Sequence, residues 1–421
     1  MIQATPNHSP RRSRHRFLLL MVIVGVLSIS ALVTYVLRAR TRPVPIPATT
    51  TNPPSIYAGT ATGPLYTPFQ LEIDPMQRLL LINFGEDPDA IYLGFEPQVF
   101  DDERHGTGLI VIAWRVDGKV DVYHQPGVRL DPATYAIAGD GLNLMLERPL
   151  ADASFRVTET GVEAAFAFED ALGRSIEVAI SERNPAPRRP FGLLAPMGQA
   201  ATSPSALPLV LLHDFYFVRQ AATEVTLLID GKSHTPDKMP VPIDGTRMYF
   251  MRYSPDPVIA TLNPAYDGPM TPLEHLSATE ARLGELTVEL GDNQGQPEIT
   301  QLRRSFNDHE VTVAFTPPLP NLVNLAEGAS TSGIFTIAAD PSVGQVIGEY
   351  ALKRQGSTVT LEAIPSGGWY PNESKWTVQL IYLMAADFTA WPRSYRWTAT
   401  LDLTHPSQAT MQSRWERITP P

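Results

Sequence analysis

The chain has 421 residues, no cysteine, 40 prolines and a formal net charge of −11 at pH 7, with 43% apolar and 18% charged residues. The lack of cysteine excludes disulfides, thiolate nucleophiles and Cys-ligated zinc or iron–sulfur centres. The acidic balance argues against nucleic acid as a partner, because phosphate binding draws on clustered Lys and Arg.

Residues 1–16 form a basic tail carrying Arg11, Arg12, Arg14 and Arg16. The run from Phe17 to Leu37 then holds 21 residues without a charge. As a helix it would be about 31 Å long, which matches the hydrocarbon core of a bilayer. This predicts a single membrane-spanning signal anchor over 17–37, with the lipid bilayer as its partner. It is too long for a signal-peptide h-region, and no Ala-x-Ala follows it. The seven arginines of residues 1–42 face no acid there, leaving 26 basic against 44 acidic residues downstream, a charge near −18. The short basic tail is expected to stay in the cytoplasm while the acidic body is exported, giving a single-pass cell-membrane protein. Residues 38–64, rich in Pro and Thr, read as a semi-extended tether.

From 65 to 268 the pattern predicts a first β domain. Large apolar residues recur at every second position in Val162–Phe168 and again in Arg174–Ile180, with Gly173 between them, which predicts a hairpin with one buried face. Asp117-Gly118, Asp140-Gly141 and Asp230-Gly231 lie between β-patterned runs, where Asp-Gly suits a two-residue turn. The densest apolar stretch, Leu209–Phe217, is apolar on both faces and predicts a strand buried on both sides. It carries His213 and Asp214, the two candidate catalytic residues. As strand neighbours they point to opposite faces and cannot form a dyad with each other. A buried Asp214 would need a partner such as Arg219 or Arg247, or a raised pKa. The loop acids Asp101-Asp102-Glu103 lack the spacing of a calcium loop, and no metal site is expected.

After Gly268 the sequence predicts a connecting helix over 269–283, with Thr271 as cap, Pro272 at the first position and Glu274 completing a capping box. A second β domain is expected over 284–421, with strands near 298–303, 309–315, 333–338, 346–353, 357–363, 375–384, 395–403 and 408–418. Trp376, Trp397 and Trp415 fall in phase with apolar neighbours and read as core. Trp369, Tyr370 and Trp391 sit among Gly and Pro, so they read as loop aromatics able to stack on a saccharide or apolar ligand, or else to cap the core.

The fold class is therefore mostly β: antiparallel sheets in two β domains, barrel or sandwich, behind one transmembrane helix. In strand number and alternation the body is similar to tandem lipocalin-like barrels, a group that includes carotenoid hydratases. The resemblance implies architecture and assigns no residues. No Gly-x-Ser-x-Gly, Gly-x-Gly-x-x-Gly or His-Glu-x-x-His is present, and nothing implies a cofactor. The expected function is that of an extracytoplasmic β-protein binding a small molecule, a saccharide or a partner. The alternative is an envelope enzyme of carbohydrate or lipid chemistry using Asp214 or His213.

Overall fold

The computed structural model describes residues 51–418 except positions 241, 244, 374 and 385. The basic tail and the expected span over 17–37 lie outside the described residues. Among the described residues, no helix is long and apolar enough to cross a membrane.

The body is mostly β, with several antiparallel sheets and a half-barrel. The predicted hairpin is present as strands Gly161–Glu169 and Ser175–Glu182, part of a five-stranded sheet. Its buried face carries Phe166, Phe168, Ile176, Val178 and Ile180. These pack on Leu80, Phe95, Val111 and Met251 of a ten-stranded sheet, forming a compact sandwich core. The turn at Asp230-Gly231 has φ of 50° and 73°, the left-handed pair that an Asp-Gly hairpin loop supplies.

The ten-stranded sheet bends around strand Leu207–Arg219. Up to His213 this strand pairs with Asp256–Leu262; from Tyr216 onward it pairs with Met248–Ser254. Phe191–Ala195 pairs along its other edge. Leu209, Leu211, Leu212, Phe215, Phe217 and Val218 are all buried, as a strand apolar on both faces requires.

The third sheet has 11 strands, with Tyr266–Pro269 at one edge and Glu274–His275 at the other. Laid flat, such a sheet would hold its edges about 48 Å apart at the usual strand spacing. The short link from Pro269 to Glu274 can span no more than about 18 Å. The sheet must therefore curl, and it wraps a core in which Phe69 lies 5.0 Å from both Phe315 and Trp397. This core is continuous from Ile56 to Trp415 and draws on residues from both sides of position 268. Trp415, on the last strand, donates its Nε1–H to the carbonyls of Leu262 (3.1 Å) and Asn263 (2.9 Å).

Three expectations are corrected. Residues 269–283 form no helix: Glu274–His275 and Glu280–Leu283 are strands, and Leu273 is buried with its N–H on the Leu65 carbonyl at 2.9 Å. The capping pattern is local, whereas the chain here has to bridge the two edges of the curled sheet. The strand expected over 375–384 is instead the helix Trp376–Met384, because a nine-residue run apolar on every side fits either period. The tether is docked by its end. Asn52 is buried and donates to the Pro318 carbonyl at 2.7 Å, and Tyr57 donates to buried Glu298 at 2.5 Å. Pro-rich composition hid the polar plug that these residues form.

The two halves touch at backbone level where Gly192 meets Ser342. A Cβ at Gly192 would lie 2.2 Å from the Ser342 carbonyl oxygen and 2.5 Å from Val343 Cα. Gly192→Ala is expected to lower stability by about 1–3 kcal/mol through this collision alone. Urea denaturation of the pair of proteins checks it, and an unchanged midpoint would mean that the contact yields.

Candidate functional site

Just beyond that contact, each half places one histidine and one aspartate on the seam. Register sets Asp256 opposite His213 in the first half. In the second half, the left-handed Asn307 (φ 51°) turns the chain into strand His309–Leu319, and Asp340 follows strand Ser330–Ala338. The pairs cross the seam. His309 Nε2 lies 2.7 Å from Asp256 Oδ1, and His213 Nδ1 lies 3.8 Å from Asp340 Oδ2. The two imidazoles lie 5.1 Å apart. Both histidine side chains are about 90% buried, whereas Asp256 and Asp340 are about half exposed.

The environments push the two rings in opposite directions. Burial lowers the His213 pKa, with the nearby Asp340 only partly offsetting it. The Asp256 hydrogen bond raises that of His309. The shifts favour the neutral form of His213 and the cationic form of His309, an arrangement that suits a clasp or an acid–base pair.

His213 thus faces the seam, and its carbonyl accepts from Ser254 Oγ. Asp214 is exposed rather than buried, with φ of 40°, at the point where the strand changes partner. The outward bend explains why it needs neither Arg219 nor Arg247. His309, Asp256 and Asp340 escaped the sequence reading, because only the fold brings them to His213.

The loop aromatics cap the core. Trp369 ends inside strand Thr358–Tyr370, is buried, donates to the Val343 carbonyl at 2.8 Å and meets Tyr382 edge-on at 5.0 Å. Trp391 is buried against Tyr395. Tyr370 is half-buried at the strand's end. In the Asp101–Gly106 loop, His105 is wedged between Asp102 (3.0 Å) and Asp74 (3.4 Å). These three could in principle hold a cation, but Arg104 also reaches Asp74 at 3.3 Å. An imidazole between two carboxylates and a guanidinium on one of them account for the cluster as an ionic knot.

A crevice opens between the halves, apart from the His–Asp seam. Its first-half wall carries Arg188, Arg189, Phe191, Phe217, Arg219, Ile243 and Met248; Glu373, Lys375 and Val378 close it from the second half. Arg189 reaches across its mouth to Glu373 at 3.1 Å. The enclosed part is narrow, 20 Å³, room for one or two waters, so a larger ligand has to part the walls.

No family model, no curated protein and no solved structure matches the chain.

The raised His309 pKa means that the stability its pairing contributes is fully present below about pH 6.5 and fades as pH rises through the raised value. Asp256→Asn is expected to cost about 0.5–1 kcal/mol at pH 5.5, allowing for the exposure of the carboxylate, and almost nothing at pH 9. Denaturant midpoints at the two pH values check the sign. A gap that widens toward pH 9 would contradict it.

Proposed function

We propose that the chain is a membrane-anchored extracytoplasmic protein that binds a small-molecule ligand in the crevice between its two β halves. The observation that carries this is the makeup of the crevice: an apolar floor of Phe191, Phe217, Met248 and Val378 framed by charged side chains and drawn from both halves. Small-molecule sites are commonly concave, mostly apolar, marked by a few polar groups and placed where two substructures meet. The burial of Trp369 and Trp391 takes away the stacking faces that a saccharide would use, and so favours an apolar ligand.

In this reading, residues 17–37 hold the protein in the bilayer with a cytoplasmic N-terminus, the tether lifts the body, and the halves are a tandem lipocalin-like pair. A second reading, an envelope enzyme of lipid or carbohydrate chemistry, is favoured by the opposite pKa shifts of the neighbouring His213 and His309. It would place general base and general acid on the seam rather than on Asp214.

The chain has no cysteine, so Arg189→Cys with Glu373→Cys gives a unique thiol pair at the mouth of the crevice. Linked by a reducible bis-maleimide, this variant is expected to lose binding of the neutral dye Nile red, and to regain it on reduction. Dye binding that ignores the link would place the ligand elsewhere.

A further inference from the structure

The crevice runs against the charge of the whole protein. In a chain of net charge −11 it is lined by Arg188, Arg189, Arg219 and Lys375 against the single acid Glu373. Such a patch reverses the local field and draws anions. The rim arginines are already committed. Arg188 pairs with Glu182 at 2.9 Å, Arg189 with Glu373 at 3.1 Å, and Arg219 donates to the carbonyls of Ala186 and Pro187. They set the potential without offering a free fork.

The floor leads to a cation that is not committed in this way. Met248, Phe250 and Arg252 alternate along strand Met248–Ser254 and so share one face. Met248 and Phe217 line the crevice; Phe217 stacks on Phe250 at 6.3 Å and is the register partner of Arg252. From Met248 to Arg252 is about 13 Å along the strand. The Arg252 guanidinium lies 4.7 Å over the Phe250 ring, and its Nη1 donates to Asn83 Oδ1 at 2.6 Å. Among the described residues, no carboxylate pairs with it.

Glu96 is the candidate counter-ion, and its charge acts on Arg252 without a direct ion pair between them. Leu81, the partner of Arg252, separates the two by register, about 10 Å across the sheet. The Glu96 oxygens accept from Gln98 Nε2 at 2.8 Å and Trp114 Nε1 at 3.0 Å, and burial raises its pKa. Burial also lowers the Arg252 pKa, to about 10, with the Glu96 charge partly offsetting the shift, yet the side chain keeps some accessible surface. Holding a cation there without a directly paired carboxylate is costly, and an anion reaching it would offset that cost.

We infer that the ligand is a carboxylate-bearing amphiphile, its head received by Arg252 and its chain laid along Phe250, Phe217 and Met248; this rests on the reading of the crevice as the ligand site. A guanidinium fork suits a carboxylate, and the strip of floor matches an acyl chain of roughly eight to twelve carbons.

The test uses the full-length chain in zwitterionic nanodiscs at pH 7.5, titrated calorimetrically with octanoate and with octanamide, empty nanodiscs subtracted. Octanoate is expected to bind about tenfold tighter than octanamide, as a charge-assisted pair predicts. Arg252→Met should bring the two ligands to parity without changing octanamide, and Arg252→Lys, which keeps the charge, should retain part of the preference. Equal binding by the wild type, an octanoate preference that survives Arg252→Met, or no binding of octanoate overturns the assignment of the head group. The mouth-linked variant separates the two readings. If linking leaves octanoate binding intact, the crevice itself is wrong; if linking abolishes binding of both ligands while the Arg252 variants change nothing, the crevice stands and only the ligand class falls.

Discussion

The molecule depends on one apolar core that belongs to both halves at once. The short link at Met270–Leu273 forces the edges of the 11-stranded sheet together, and the hollow so formed is filled partly by first-half residues such as Phe69, Leu209 and Leu262. The first half, in turn, is held by the second, since the Trp415 indole is satisfied by first-half carbonyls. Arg417 repeats the theme: its guanidinium donates to the carbonyls of Gly198 and Gln199 while lying 5.2 Å over the Tyr395 ring. Tyr395 itself donates to the Ala201 carbonyl. Buried donors such as these must find acceptors, and here the acceptors lie across the joint.

This arrangement explains where the polar chemistry sits. A core shared between halves leaves a perimeter where two surfaces meet without being fully dry, and there the crossed His–Asp pairs, the Arg189–Glu373 latch and the cation-lined crevice are found. Arg252 and Glu96 lie on one face of the ten-stranded sheet, alternating with the sandwich-facing Met251 and Phe95. That face is turned away from the sandwich core and leads to the margin of the crevice. Ligand entry and the packing of the halves are therefore properties of one surface.

Much of the architecture was legible in the sequence, because period-2 alternation reports directly on a strand with one wet face. The hairpin at Gly161–Glu182, the two-sided strand at Leu207–Arg219 and the core positions of Trp397 and Trp415 follow from it. Alternation failed where a short, largely apolar run fits either period, as in Trp376–Met384, and where a local cap pattern met a long-range demand, as at Thr271. The site was less legible. His213 stood out, but its companions His309 and Asp340 lie far along the chain, and no local rule links them. Arg252 did carry a signal, a charge inside the aromatic run Tyr249–Tyr253, but it belongs to no familiar motif.

The most direct test of a single shared core is calorimetric unfolding of the native chain. One core predicts one cooperative transition in which the calorimetric and van't Hoff enthalpies agree, with the first-half signal of Trp114 and the second-half tryptophans lost together. Two resolved transitions, or a half-barrel that melts while the sandwich remains folded, would contradict the account.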